Sequence, residues 1–392
     1  MKKTLVLLLL SVIPALAVEE LKDVGISKYA VLEVLKDNTP LREKADEYAT
    51  RVTHLFKDAV LFADKQNDNY YRVELKDGKY VWVNKKQVEV QGIIPEKRFD
   101  NIEKISFKQE RDRYIANINT PSKSAFIFKE AGNSLNFTLF DNRFDPTEAE
   151  VKNKEDNFKF ANLISNEFNL EYESYTPLFG YIAQKAEKGY VVTIKKSPKI
   201  NVKKPLKHIK IVIDPGHGGD EKGATAFNLE EKTINLQISK KLKNELKKRG
   251  AKVYLTRTKD KKVGLYERTA YALQKDADIL LSIHQNSLPN PKDVYKKHGV
   301  GTYFYNKQAE PLARNIKDSL KEATGFKDDG VNYASFALTR PTLPVSVLVE
   351  CGYIIDADEA GYISNEKKQK IIAKAIVKGV ENYLVESFGN SY

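Results

Sequence analysis

The chain has 392 residues, which predicts two or three domains rather than one. Apolar residues make up 41% and charged residues 30%, a balance that excludes general disorder and a polytopic membrane protein. The single cysteine excludes an intramolecular disulfide framework and a cysteine-based zinc site. The formal net charge of +12 favours an anionic partner, which nucleic acid, anionic lipid or an acidic wall polymer would each satisfy.

Residues 1–17 have the pattern of a signal peptide. Two lysines open the segment, an apolar core follows from Leu5 to Ile13, and Ala15-Leu16-Ala17 forms a small-x-small cleavage signal. The core is shorter than the roughly 20 residues of a membrane-spanning helix, so no transmembrane segment is predicted. The alternative is a retained anchor or a buried N-terminal helix. We expect an exported protein, in the periplasm or otherwise wall-associated or secreted, and we do not expect nucleic acid as a partner.

Residues 18–94 are predicted to form a small β-rich domain. The clearest feature is a hairpin, in which Tyr70–Leu75 and Tyr80–Val83 flank Asp77-Gly78, a pair suited to a turn with positive φ. The stretch resembles a bacterial SH3 domain through three pieces, Thr39–Arg42, Val60–Phe62 and Trp82-Val83. The resemblance implies a module that binds cell-wall peptide or acts as a spacer, and a purely structural role is the alternative.

Residues 95–204 are predicted to form a second β-rich domain that ends in a linker. Alternation of apolar and polar residues predicts strands at Ile102–Phe107, Tyr114–Ile118, Leu135–Leu139, Tyr181–Gln184 and Tyr190–Ile194. This stretch resembles the β-sandwich targeting domain found ahead of envelope amidases. Ser197–Pro205, with two prolines and three lysines, is predicted to be the linker.

Residues 205–392 change to alternating strands and helices. The predicted strands are Ile209–Ile213, Val253–Leu255, Ile279–Ile283 and Val345–Val349, and the predicted helices are Leu229–Arg249, Leu265–Gln274 and Lys367–Phe388. This alternation predicts an α/β domain, in which a mostly parallel twisted sheet is covered by helices on both faces. The expected architecture is therefore an α/β catalytic domain preceded by two small β-rich domains.

Three predicted strands of the last domain run into groups that can bind a metal or transfer a proton. The first leads to His217, the third to His284, and the last to Glu350, while Glu231 opens the helix after the first strand. In open α/β sheets, sites form at the carboxyl ends of the strands, so these side chains can converge. Two histidines and a carboxylate with an open fourth position form a catalytic zinc arrangement.

Residues 208–385 resemble zinc-dependent N-acetylmuramoyl-L-alanine amidases of the type-3 class. The matching pieces are Ile211–Gly219, Glu231-Lys232, Leu255–Arg257, Leu265 with Glu267 and Arg268, Ser282–Ser287, and Pro344 followed by Val347–Tyr353. Their order and spacing match over essentially the whole domain, which a lone Gly-His-Gly-Gly would not do.

The resemblance implies that His217, Glu231 and His284 bind Zn²⁺ and that Glu350 is the catalytic carboxylate. The bond cut would be the amide between N-acetylmuramic acid and L-alanine in peptidoglycan, in wall remodelling or daughter-cell separation. Two alternatives stay open: a zinc peptidase that cuts stem-peptide bonds, and a non-catalytic peptidoglycan-binding scaffold. The sequence does not identify a protein activator.

Some of these side chains also have simpler interpretations. Either histidine could be a core residue, and Glu231 could only favour the helix N-terminus, with Glu230 as a competing candidate. Asp214 is expected to shape the turn after the first strand or to orient a ligand from behind. Arg257 and Arg268 are expected to be internal ion-pair partners.

Four other side chains are not expected to take part in the chemistry. His54, His208 and His298 lack a matching context and are interpreted as structural or exposed, and Cys351 is expected to be a buried, inert thiol. Leu288–His298 is too short for the long inhibitory helix that some envelope amidases insert there. We therefore expect a site that is not blocked in that way.

Overall fold

The computed structural model describes residues 29–76, 78–145, 148–152, 157–161, 167–289 and 297–389. The predicted signal peptide lies outside these residues. Three groups of strands follow one another along the chain, and the α-helices of the described residues all belong to the third group. None of the helices within the described ranges is long and apolar enough to cross a membrane.

The first group is a seven-stranded antiparallel sheet with the strand order β3-β2-β6-β5-β4-β1-β7. Its strands are β1 (Tyr29–Val34), β2 (Thr39–Arg42), β3 (Arg51–Leu55), β4 (Val60–Gln66), β5 (Tyr70–Lys76), β6 (Lys79–Asn84) and β7 (Val88–Ile94). The predicted hairpin is present as β5 and β6, and Gly78 in its turn has a φ of +74°. Alternate residues such as Leu61 and Val73 point into a common core.

The second group consists of two larger sheets and one small pair of strands. Its strands are β8 (Asp100–Asn101), β9 (Lys104–Gln109), β10 (Arg113–Asn119), β11 (Phe126–Ala131), β12 (Ser134–Phe140), β13 (Asn142–Arg143), β14 (Glu150–Lys152), β15 (Phe158–Ala161), β16 (Glu167–Glu173), β17 (Tyr181–Lys185) and β18 (Tyr190–Lys195). The sheets β14-β9-β10-β18-β17 and β11-β12-β16-β15 share one core, to which Phe107 and Phe137 contribute from opposite sides. Two sheets around a shared core form a sandwich.

Among the described residues, the third group has a six-stranded sheet in the order β22-β19-β23-β26-β24-β25, together with five α-helices. Its strands are β19 (Lys210–Pro215), β20 (Thr225–Ala226), β21 (Leu229–Glu230), β22 (Lys252–Leu255), β23 (Ile279–Asn286), β24 (Val300–Phe304), β25 (Asp328–Tyr333) and β26 (Val345–Tyr353). The helices are α1 (Glu231–Lys248), α2 (Leu265–Gln274), α3 (Glu310–Thr324), α4 (Ala357–Ser364) and α5 (Glu366–Phe388).

The prediction of a mostly parallel sheet with helices on both faces is confirmed. Strands β22, β19, β23 and β26 run parallel, and only β24 with its parallel neighbour β25 runs the other way. Helices α1, α3 and α5 cover one face and share its core with Ile211 and Ile213. Helix α2 covers the other face, where Ala272 packs with Val212 and Leu280.

The second group of strands contacts the amino-end edge of the parallel strands. Asp276 and Asp278 precede β23, and they pair with Arg113 at 2.9 Å and with Lys195, respectively. Ile200, in the predicted linker, is buried in the core of the third group. These contacts leave the carboxyl ends of β19, β23 and β26 available for a site at the opposite edge.

Candidate functional site

The turn after β19 carries His217 in a left-handed conformation, with a φ of +59°. Such a φ is uncommon for a residue with a side chain, so the surrounding structure must hold the turn in place. Gly216 allows the close approach of His284, because a Cβ at that position would lie 2.2 Å from the His284 Cε1 atom. The turn therefore brings the two imidazoles together, with ring centroids 5.0 Å apart.

Glu231 lies between the two histidines at the start of α1. Its Oε1 atom is 2.9 Å from His284 Nδ1, and its Oε2 atom is 3.1 Å from His217 Nε2. Backbone N–H groups also donate to this carboxylate, from Gln285 at 3.2 Å and from Ala224 at 2.9 Å. The carboxylate is thus held from several sides and faces both rings.

The neighbouring Glu230 points away from the two histidines and pairs with lysines instead. Its carboxylate pairs with Lys222 at 2.9 Å and is more exposed than that of Glu231. In the site, burial alone would raise the pKa of Glu231, but hydrogen bonds from His217 and His284 hold it well below its usual range. Glu231 is therefore the carboxylate that is ionised beside the two rings.

The donor set at this position fits a zinc ion. One nitrogen of each histidine and one oxygen of Glu231 all lie within 4.8 Å of one another. Zinc in catalytic sites takes three such ligands from histidine and carboxylate side chains and keeps one open position. The two imidazoles are also partly exposed, so a substrate can reach them.

Glu350 stands beside His284, because these two residues are register partners on β26 and β23. Its Oε2 atom is shielded from solvent and has no hydrogen-bond partner within the described part of the chain. Burial, followed by the charges of Glu231 and Asp329, raises the pKa of Glu350 well above its usual range. A carboxylate in this environment binds a proton readily.

Asp214 is fully buried behind the site. It accepts hydrogen bonds from Thr256 Oγ1 at 2.5 Å and from Ser282 Oγ at 2.8 Å, and it pairs with Arg268 at 2.8 Å. Arg268 in turn donates to the carbonyl oxygen of His217 at 3.0 Å. The ion pair expected for Arg268 is present, and the chain from Asp214 to His217 supports the turn.

Arg257 binds backbone carbonyl groups and, among the described residues, does not form the ion pair that we expected of it. Its guanidinium donates to the carbonyl oxygens of Pro215, Gly216 and Lys232, at distances of 2.9, 2.9 and 2.7 Å. A buried guanidinium has five N–H donors, and the carbonyls that converge here satisfy several of them. Arg257 thus fixes the backbone of the same turn, which a sequence cannot show because carbonyl positions depend on the fold.

The sequence did not indicate a polar group next to Glu350. Asp329 accepts a hydrogen bond from Tyr353 Oη at 2.8 Å and lies 3.3 Å from Asn286 Nδ2. Its charge and that of Glu350 both contribute, after burial, to a raised pKa of Tyr303. Asp329 lies on β25, which was not predicted, so no spacing linked it to Glu350.

The three remaining histidines lie outside this cluster. His208 is exposed, and His54 is partly buried in the first sheet. His298 Nδ1 lies 2.9 Å from Glu359 and 3.7 Å from Asp356, a second grouping of side chains that can bind metal. Cys351 is fully buried, as expected, and burial raises the pKa of its thiol.

The third group of strands and helices matches known proteins. Residues 211–382 match the family described as N-acetylmuramoyl-L-alanine amidase. The chain is 33% identical over 199 residues to the uncharacterized protein YqiI of Bacillus subtilis, which covers 50% of this chain and 93% of that protein. It is 32% identical over 182 residues to the probable cell wall amidase LytH of Staphylococcus epidermidis, covering 46% of this chain and 60% of LytH.

Solved structures match the same region. The crystal structure of an N-acetylmuramoyl-L-alanine amidase from Clostridium difficile 630 is 34% identical, with 45% of this chain and 97% of that chain covered and a TM-score of 0.43. The catalytic domain of CwlV, an amidase from Bacillus (Paenibacillus) polymyxa, is 32% identical, with 45% and 98% covered and a TM-score of 0.42. Because residues 211–382 match this family and the chain covers 93% of a relative that is 33% identical to it, the chain belongs to the N-acetylmuramoyl-L-alanine amidase family.

Proposed function

We propose that this protein hydrolyses the amide bond between N-acetylmuramic acid and L-alanine in peptidoglycan, with Zn²⁺ held by His217, Glu231 and His284. The observation that carries the proposal is the convergence of these three side chains next to the buried carboxyl group of Glu350. Family membership supports the bond and the substrate.

The metal and Glu350 have different tasks in this reaction. Zinc, when bound, supplies a Lewis acid for the scissile carbonyl and lowers the pKa of the attacking water. Glu350 accepts a proton from that water at its carboxylate and delivers it to the nitrogen of the leaving L-alanine. Burial raises the pKa of Glu350 above its usual range, which is the direction that favours a carboxyl group that takes up a proton and passes it on.

We also propose an identity for each region of the chain, including the two β-rich regions. We assign residues 18–94 to an SH3-like module, 95–204 to a targeting-like domain with its linker, and 205–392 to the catalytic domain. The relatives named cell wall amidases support an exported protein that acts at the wall. The chain spans 60% of the length of LytH, so the activity of the whole protein is part of this proposal.

The test is digestion of purified peptidoglycan by the zinc-loaded protein, with mass analysis of the products. The wild type should release intact stem peptides and leave free muramic acid, and a chelator should stop the release. Glu350→Gln should bind zinc normally and lose about 10²- to 10⁴-fold in rate, because proton transfer is removed. Glu310→Gln is the matched control, since Glu310 is an exposed glutamate on α3.

Other products would contradict the proposal. Fragments of stem peptides would indicate a zinc peptidase. Binding to peptidoglycan without any release, equal in the wild type and in Glu350→Gln, would indicate a scaffold.

A further inference from the structure

Three arginines lie near one another where the first sheet contacts the catalytic domain. Arg42 lies on β2, Arg51 lies on β3, and Arg340 lies in the segment between β25 and β26. The two parts of the chain touch here, because Tyr305 Oη donates to the carbonyl oxygen of Arg51 at 3.0 Å. The rings of Tyr305 and Tyr333 stack beside this contact, with centroids 5.2 Å apart.

These three arginines lack a carboxylate partner among the described residues. Arg42 donates to the carbonyl oxygen of Ala49 at 2.8 Å, and Arg340 donates to that of Ser335 at 3.0 Å. Arg51 lies 3.5 Å from the Nε2 atom of His54. Elsewhere in the molecule, arginines such as Arg72, Arg113 and Arg268 pair directly with aspartates.

The positive charges act on one another across the contact. Burial lowers the pKa of Arg340, and the charges of Arg51 and Arg42 lower it further. Burial and the charges of the same three arginines also lower the pKa of His54 to about 4, so this histidine is neutral at neutral pH. Asp46 and Glu47 act on Arg42, but more weakly than Arg51 does. An anion placed here would remove this repulsion.

An exposed apolar surface connects the arginines to the catalytic edge. The Tyr303 ring, on the strand beside Glu350, packs on Phe336 with centroids 5.3 Å apart, and Phe336 is 45% exposed. The carbonyl oxygen of Phe336 accepts a hydrogen bond from the backbone N–H of Arg340 at 3.1 Å. Tyr266, which is 57% exposed, is another neighbour of Arg340. Clusters of exposed apolar side chains mark binding surfaces.

The length of this surface matches a short extended peptide. Gly301 is the register partner of Glu350, and β24 runs from Gly301 toward Tyr305 over four residues. Four residues of a strand span roughly 13 Å. A peptide whose first amide lies at Glu350 would therefore reach the arginines with about its fourth residue.

We propose that Arg51 and Arg340 bind the free carboxylates of the peptidoglycan stem peptide whose first amide is cut, while Arg42 adds positive charge behind them. Guanidinium groups suit this ligand, because they bind carboxylates through two parallel N–H donors. The N-terminal sheet would thereby form part of the substrate site. The inference rests on the proposed amidase function and adds a carboxylate subsite to it.

The test compares two soluble muropeptides, one with free stem-peptide carboxylates and one with the same groups converted to carboxamides. For the wild type, KM should be about tenfold lower with the carboxylate form than with the carboxamide form, because only the carboxylates can form charge-assisted hydrogen bonds with the arginines. The double variant Arg51→Ala/Arg340→Ala should raise KM about tenfold for the carboxylate form alone, with kcat nearly unchanged. Arg314→Ala, at an exposed helix pair with Glu310, is the control and should behave as wild type.

The comparison stays decisive if the variant is less stable, because a smaller folded fraction lowers kcat equally for both substrates and leaves KM unchanged. Equal KM values for both substrates in the wild type would overturn the proposal, and so would a KM increase that the variant shows equally for both. A defect that appears only on walls containing phosphate polymers would also overturn it, in favour of phosphate binding.

A binding measurement separates this inference from the proposed function. Calorimetric titration of the two muropeptides into Glu350→Gln needs no turnover, and stronger binding of the carboxylate form that is lost in Arg51→Ala/Arg340→Ala supports the subsite. If the wild type releases no peptide while this preference is present, the amidase proposal fails and the subsite stands. Absence of the preference overturns the subsite, whether or not the enzyme is active.

Discussion

Replacement of Asp214 by asparagine tests how the buried group behind the site supports the His217 turn. Asp214 has no exposed surface, and its partner Arg268 is 2% exposed. The substitution removes the negative charge but keeps the shape of the side chain. Arg268, which also holds the carbonyl oxygen of His217, is left as an unpaired buried charge.

The burial of Asp214 and Arg268 determines how much stability the substitution should remove. Removing one partner of a buried ion pair costs about 3–5 kcal/mol, because the other charge stays buried without compensation. An asparagine can still form hydrogen bonds with Thr256 and Ser282, which places the expected loss at about 3 kcal/mol of unfolding free energy. Zinc retention should fall as well, because the turn that carries His217 loses a fixed support.

The single cysteine provides the assay. Cys351 is fully buried in β26, so its reaction with a thiol reagent in increasing urea reports the opening of the catalytic sheet. The single tryptophan, Trp82, lies in β6 and reports on the first sheet instead. Asp220→Asn is the control, because Asp220 lies on the same loop as His217 and its side chain is 73% exposed.

The control should give the wild-type labelling curve, whereas Asp214→Asn should be labelled at much lower urea. The two labelling curves give free energies of unfolding for Asp214→Asn and for the wild type. If these free energies differed by less than about 1 kcal/mol, the buried pair would not hold the turn, and the reasoning would be refuted.

Three further predictions concern the metal, a titrating histidine and the thiol. Glu231→Gln should lose zinc during dialysis and melt at the temperature of the chelated wild type, because a carboxylate ligand becomes a weaker neutral amide; retained zinc by elemental analysis would contradict this. The pKa of His54 is about 4 in the folded protein against 6.5 as its ordinary value, so the unfolded chain binds the extra proton first. The free energy of unfolding of the first sheet should therefore fall by at most about 3 kcal/mol as pH decreases through that window, a loss that Trp82 fluorescence should detect and His54→Gln should remove. Cys351 should resist thiol reagents in the native protein, and Cys351→Ala should keep activity within about twofold, since the thiol lies in the hydrophobic core. Fast labelling of the native protein would show that β26 opens.

The convergence of the site could be predicted from the sequence, because it depends on a topological rule. Strands that alternate with helices form a parallel sheet, and their carboxyl ends then share an edge. His217, His284 and Glu350 follow three apolar runs that are readily identified as strands. Their meeting at one edge therefore required only the order of the elements and no knowledge of loop geometry.

The bounds of the strands were less predictable. We expected β23 to end before His284 and β26 to end before Glu350, whereas the strands continue to Asn286 and Tyr353. His284 and Glu350 pair with each other across the two strands, and this pairing extends both. Strand length at this point depends on a distant partner, which local composition does not contain.

Helix α3 was missed although the sequence carries its signals. Leu312, Ile316 and Leu320 are buried and recur at helical spacing, Pro311 stands in the first turn, and Gly325 follows the end with a φ of +73°. These are ordinary start and stop signals of a helix. The reversed strands β24 and β25, by contrast, offered no comparable pattern, and with them the position of Asp329 beside Glu350 was hidden.

The net charge illustrates what the fold adds to a composition. A charge of +12 favours an anionic partner but does not say which cations are available to bind it. Lys195 and Arg113 are not available to bind an anion, because Asp278 and Asp276 pair with them where the sandwich contacts the catalytic domain. Arg51 and Arg340 have no such partner among the described residues, and they lie on the surface that leads to Glu350. The positions of these two unpaired arginines, rather than the total charge, are the reason to propose that they bind the stem peptide. The first sheet, which carries Arg51, is therefore a candidate part of the substrate site.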